Sequence, residues 1–239
     1  MTRKQWIQVV LMFIGMLLAF GTYVFFNSAP EPWRWPGAWA ADPSTGQFLQ
    51  PSTGDDAFQT FVLKSWADEL VPFVPILAIP YLSYLAIVPI LTPILTLVAK
   101  SLKGFFTIGW ALIGAQIFMD LGYFLFQTWV QRTDTPPNDF TGALVHLVWG
   151  NDQPFNGFPS AHCAWTTIGI LALFRLRKRF PKTAWILMAW LLLIYPATVM
   201  LQQHYLIDVY AGIAIGIAAY ALALVFVEKP KLSLPINGQ

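Results

Sequence analysis

His204 and Asp208 stand four residues apart, so on a helix they share one face. A carboxylate in that position holds an imidazole in one tautomer and stabilises the positive charge the ring gains on protonation. The same pair also serves simply to anchor a helix end. Ser160 and His162 lie in Phe158-Pro159-Ser160-Ala161-His162, where a proline followed by small residues suits the first turn of a helix. The free N–H groups of a helix start, with the Ser160 hydroxyl, make a ready anion site, and His162 would stand beside the anion. An ordinary N-cap next to an interfacial histidine reads the same way. Arg132 adds a guanidinium that can grip a phosphate through two parallel bonds, anchor a helix at an interface, or pair with Asp134 or Asp139.

The elements that must position these residues are helices in lipid. Of 239 residues, 56% are hydrophobic and 11% charged, with a mean hydropathy of +0.57. Soluble domains carry roughly a quarter charged residues, so most of this surface faces something other than water. A spanning helix needs roughly 20 mostly apolar residues. Six stretches qualify, at about 6–26, 70–98, 105–130, 160–174, 184–201 and 205–227. The expected fold is all-α, a polytopic transmembrane bundle of about six spans forming one integral membrane domain over residues 1–239. The second stretch carries Pro72, Pro75, Pro80, Pro89 and Pro93 and must kink or break. The fourth is short and is expected to run on into the basic residues after Phe174. The first is too long for the apolar core of a signal peptide, and Ala38-Trp39-Ala40 lies too far beyond it to be a cleavage site.

Charge then orients the bundle. With six spans, one side holds Arg3, Lys4, Lys100, Lys103, Arg175, Arg177, Lys178, Arg179, Lys182, Lys229 and Lys231, and the other only Arg34, Lys64 and Arg132. The positive-inside rule makes the first side cytoplasmic, with both termini. The loop at about 27–69, the segment 131–159 and the turn at 202–205 are then extracytoplasmic. Trp33, Trp35 and Trp39 in the first loop suit an interfacial belt. Arg132, Ser160, His162, His204 and Asp208 come from the ends of three spans at one membrane face, as a site built on rigid helix ends requires.

The net charge of +2 gives no case for a nucleic-acid partner, and the lone Cys163 excludes an intrachain disulfide. Nothing near it resembles a metal-ligand cluster. A transporter fits poorly, since the spans are few and no inverted repeat is visible. His146 has no patterned partner, so a solvated or interfacial place is expected. Asp120 reads equally as a buried polar link or a headgroup contact, and Asp152 as a residue that caps or orders the loop before Gly157.

Pro159-Ser160-Ala161-His162 together with His204-x-x-x-Asp208 resembles the type 2 phosphatidic acid phosphatase superfamily of membrane lipid phosphatases and phosphotransferases. The segments 151–162 and 203–212, with Val71-Pro72-Phe73-Val74-Pro75 and Pro80-Tyr81, look like its inositol phosphorylceramide synthase branch; the likeness covers about 68–212. The resemblance implies a phosphohistidine mechanism on a phosphorylated lipid, without metal or cofactor. His204 would attack phosphorus, Asp208 would orient it, and His162 would act as acid and then base. Ser160, Arg132 and the amides near Ala161 would hold the phosphoryl oxygens. The acceptor would be water or, as in a headgroup-transferring synthase, a lipid alcohol; a non-catalytic member of the fold is the remaining alternative. The chain departs from the superfamily's pattern: Leu125 stands where the first motif begins with Lys, Thr133 replaces its proline, Ala197 and Thr198 replace the Ser-Arg of the third, and Gln202 stands where the closer branch often has a basic residue. Fewer cations favour a substrate other than phosphatidate, and Gln202, Gln203 or Asn156 would compensate by hydrogen bonding. The resemblance says nothing of oligomeric state.

Overall fold

The computed structural model describes residues 1–28, 62–125 and 128–228. Trp33, Trp35 and Trp39 lie outside the described residues. The regular secondary structure of the described residues is helical, apart from one isolated bridge between Trp129 and Phe155. The helices are α1 (Arg3–Ser28), α2 (Ala78–Ala86), α3 (Thr92–Val98), α4 (Leu102–Leu125), α5 (Phe140–Asn151), α6 (Ala161–Leu176), α7 (Pro181–Leu192), α8 (Ile194–Met200) and α9 (Leu206–Glu228). Five stretches are long and apolar enough to cross a membrane: Arg3–Val24, Pro75–Val98, Leu102–Phe124, Pro181–Met200 and Leu206–Val227. Helix α6 is the shorter sixth, running two residues beyond Phe174.

Helix α6 is the axis of the bundle. Twelve of its sixteen residues are buried, so it meets protein rather than lipid. It packs on α9 with almost no separation. A Cβ on Gly212 would lie 2.4 Å from the Ser160 carbonyl oxygen, and one on Gly216 would lie 2.5 Å from that of Ala164. Small residues spaced four apart let two backbones touch in this way. Helices α4 and α7 flank α6, and α1 lies on α4, where Gly109 leaves room for Met12. Ile108, Leu112, Met119, Ile168, Leu173 and Leu191 fill the centre.

The proline-rich span bends without breaking. A π-turn over Ile87–Leu91 joins α2 to α3, and the Thr92 hydroxyl donates to the Ile87 carbonyl at 2.8 Å. The same carbonyl accepts the Thr92 N–H that closes the π-turn, so backbone and side chain of one residue hold it together. The third span stops short of Thr128, sooner than hydropathy suggests. Residues 128–130 instead bond to the loop before α6, Val130 N to Pro154 O and Asn156 N to Thr128 O, both at 2.9 Å. Asp120 therefore shares no helix with Arg132. It accepts from Thr22 of α1 at 2.6 Å and from Gln116 at 2.7 Å, a polar link between two spans. The segment before α6 holds α5, too short to span. The Asp139 carboxylate caps it, accepting from Gly142 N at 2.9 Å, and it buries Gly142, Val145 and Val148 against the bundle. His146 is exposed on its surface.

Candidate active site

The N-termini of α6 and α9 open at the same end of the bundle, and each is capped from within the site. At α6, Ser160 Oγ accepts from Cys163 N at 3.3 Å and Ser160 N donates to the Asp208 carbonyl at 3.1 Å. Ser160 is the N-cap and Pro159 precedes it, one position outside the first turn where the sequence suggested it. At α9, Asp208 Oδ2 reaches back to accept from Tyr205 N at 2.8 Å, and Asp68 Oδ1 accepts from Leu206 N at 2.7 Å. Carboxylates in these places satisfy the orphan amides and suit the positive helix end.

These caps bring two histidines together. His162, the second residue of α6, is 3% exposed and His204 5%. His162 Nδ1 lies 3.3 Å from His204 Nε2. The other nitrogen of His204, Nδ1, lies 2.8 Å from the Gly157 carbonyl oxygen and 3.6 Å from Asp208 Oδ2. A carbonyl only accepts, so Nδ1 carries the proton and the lone pair of His204 is at Nε2, facing His162. The backbone at Gly157 thus fixes the tautomer more closely than Asp208, whose Oδ2 is shared with the helix cap.

Sequence reading did not find the surroundings of His162. Tyr81 Oη lies 2.9 Å from its Nε2, and donates to Asp152 Oδ2 at 2.7 Å. Tyr23 donates to Asp152 Oδ1 at 2.6 Å, and Asp152 Oδ2 is itself 3.6 Å from His162 Nε2. The Tyr84 ring meets His162 edge-on at 4.7 Å. Burial raises the Asp152 carboxyl, but the adjoining His162 and the two phenol hydroxyls outweigh it and hold the group below the usual carboxylate range. The signal available was tyrosines placed inside otherwise apolar spans, where a hydroxyl needs a partner.

Arg132 is tied into the protein. It donates through Nη1 to the Trp149 carbonyl at 3.2 Å, and through Nη2 to the Asp152 carbonyl and, at 3.1 Å, to Gln203 Oε1. Its guanidinium also lies 5.1 Å from the centre of the Trp149 ring. Burial lowers its pKa to about 10, which leaves it charged near neutrality. Asp134, one partner the sequence offered for it, instead accepts from Gln202 Nε2 at 2.6 Å. Gln202, with a φ of 54°, also accepts from Thr133 N and Asp134 N. These bonds hold a conformation that side-chain-bearing residues seldom adopt.

Three buried polar atoms of the site have no hydrogen-bond partner among the described residues: Arg132 Nε, Gln203 Nε2 and Asp208 Oδ1. Two are N–H donors on side chains already bonded to each other. Unpaired buried donors are costly and mark places where a ligand or water completes the set. A cavity of about 310 Å³ reaches His204, with Lys64, Asp68, Thr133, Gln202 and Tyr205 among its walls. The arrangement therefore offers a nucleophilic nitrogen, a second imidazole within proton-transfer reach, and amide and guanidinium donors.

A family model described as PAP2 superfamily matches residues 56–231, most of the chain. No curated protein and no solved structure matches it.

Proposed function

The chain belongs to the PAP2 superfamily, and from that premise we infer that it is an integral membrane phosphatase or phosphotransferase that works on a phosphorylated lipid through a phosphohistidine. The observation that carries this reading is the His162–His204 pair, with the lone pair of His204 Nε2 facing a second imidazole at 3.3 Å. His204 Nε2 attacks phosphorus, and the electron pair of the breaking P–O bond leaves with the alcohol, which takes a proton from His162. Water or a lipid alcohol then gives a proton to His162 and attacks phosphorus, and the P–N electron pair returns to His204. Asp208 stabilises the charge that His204 gains, and Gly157 holds the ring.

Arg132 Nε and Gln203 Nε2 supply donors for the phosphoryl oxygens. One guanidinium and one amide make a thin clamp for a monoester dianion and a more adequate one for a diester anion. That supports the branch of headgroup-transferring synthases over phosphatidate hydrolysis. Ser160 acts mainly through the helix start it caps. The excess of lysine and arginine at the opposite end of the bundle, including Arg175, Lys178 and Arg179, supports cytoplasmic termini and an extracytoplasmic site.

The test is trapping. A His162→Ala variant incubated with a 4-nitrophenyl ester of a lipid phosphate labelled at phosphorus, whose anion leaves without an acid, should retain acid-labile label on protein. His204→Ala should retain none and lose turnover by at least about 10³-fold, as when a nucleophile is removed. Full activity of His204→Ala would overturn the reading.

A further inference from the structure

Helices α4 and α9 pack on each other, and in the half of the bundle away from the candidate site they leave a groove of about 670 Å³ between them. Its shape follows from residue size. Gly114 and Ala115 of α4 and Ala219 and Ala223 of α9 form the floor, while Trp110, Phe118, Leu222 and Phe226 form the walls. Ala115 and Ala223 are buried, whereas the four large side chains stand exposed, Phe226 at 81%. Large apolar groups left uncovered around a floor of small residues mark a surface that something apolar fills.

A bilayer supplies acyl chains, but a chain by itself gives no selectivity. Lipid tails are as apolar as the groove, so a tail gains no hydrophobic free energy by entering it. Selection has to come from the headgroup, and Lys103 is placed to make it. Lys103 lies seven residues before Trp110, two helical turns, hence on the same face of α4 and about 10 Å nearer that end of the bundle. Lys100 and Lys103 are both exposed, and no acidic residue stands between Thr92 and Met119. Glu228, the last residue of α9, is followed in sequence by Lys229 and Lys231.

We propose that this groove binds one acyl chain of an anionic phospholipid from the leaflet opposite the candidate site, with Lys103 at the headgroup phosphate. Basic residues beside a cleft between spanning helices hold anionic headgroups in this way. The lipid site is separate from catalysis and does not rest on the phosphohistidine reading. A second copy of the chain fits the groove less well. Copies related by a two-fold axis along the membrane normal present the same surface at the same depth. That arrangement brings the two Lys103 ammonium groups to one end of a shared interface, where they repel.

The experiment uses the full chain in detergent, titrated with phosphatidylglycerol or phosphatidylcholine of identical chains. Native mass spectrometry reads both the lipids bound and the number of copies. Wild type should bind its first phosphatidylglycerol at least about fivefold more tightly than phosphatidylcholine, the worth of one lysine beside an anionic headgroup. Lys103→Gln should remove that preference. Gly114→Leu fills the groove, since nothing lies within 4 Å of a Cβ there, and should weaken phosphatidylglycerol binding at least as much. Phe226→Ala takes away an exposed wall and should act in the same direction, so one groove variant that fails to fold leaves the other decisive. Lipid bound at the candidate active site is common to all four proteins and cancels in the comparison. Equal affinity of wild type for the two lipids overturns the proposal. Loss on Lys103→Gln with none on either groove variant overturns the groove as the seat of the chain. A wild-type dimer that Gly114→Leu turns into monomers, with no lipid lost, gives the groove to a second copy and overturns it too.

Discussion

The rings of His162 and His204 meet edge to face, their centroids 5.5 Å apart and Nδ1 of one 3.3 Å from Nε2 of the other. The residues are 42 positions apart in the chain. They meet because α6 and α9 touch backbone to backbone just beyond the site, and because the loop at Gly157 supplies the carbonyl that orients His204.

Gly157→Ala should damage catalysis more than stability. A Cβ there would lie 2.7 Å from Val130 Cγ2 and 3.2 Å from Asp208 Oδ2, so the loop must shift and carry its carbonyl away from His204. Misplacement of about 1 Å at a reacting group costs on the order of 10²-fold. Turnover and the thermal midpoint, measured on the same preparation, separate the two effects; an unchanged turnover would show that Gly157 does not set the ring.

Gly212→Ala should destabilise the bundle by about 1–3 kcal/mol, the usual cost of overpacking. The added carbon meets the Ser160 carbonyl, which is backbone and has no rotamer to yield. Gly114→Ala is the control, because nothing lies within 4 Å of a Cβ at that position and alanine is the better helix former. Unfolding midpoints in detergent should fall for the first variant and hold or rise for the second.

Acid should weaken the fold through Asp152. A carboxyl held below its unfolded value contributes stability that is fully present above about pH 4 and is lost as pH falls through the native value. The direction at Asp152 is downward, so wild-type stability should decline below about pH 4. Asp152→Asn should flatten that decline while lowering stability near neutrality. Unfolding midpoints between pH 3 and pH 7 test both halves, and parallel curves would mean that Asp152 is not the group responsible.

The inferred orientation makes a simple labelling prediction. Cys163 is buried, so background is low, and Asn138 and Lys178 are exposed at opposite ends of the bundle. Asn138→Cys should react with an impermeant maleimide added outside intact cells, and Lys178→Cys only after lysis. The reverse pattern would place the site on the cytoplasmic side.

The sequence by itself determined the helical class, the approximate spans and the grouping of His162, His204, Asp208, Ser160 and Arg132 at one end. Hydropathy and short spacings are local properties, and a spanning helix must meet its own backbone hydrogen bonds within one segment. It also carried the resemblance to the superfamily, which the family match bears out at that level. What only tertiary structure decided were the partners across long separations. Tyr23 and Asp152 are 129 positions apart, and Tyr81 and His162 are 81 apart. No periodicity links such pairs; packing chooses them, by setting which helix faces which and how closely. For the same reason Asp208 read as the sole orienting partner of His204, since a partner four residues away is visible in sequence. A backbone carbonyl carries no sequence signal, and the one at Gly157 acquires its role only when the loop folds over α9.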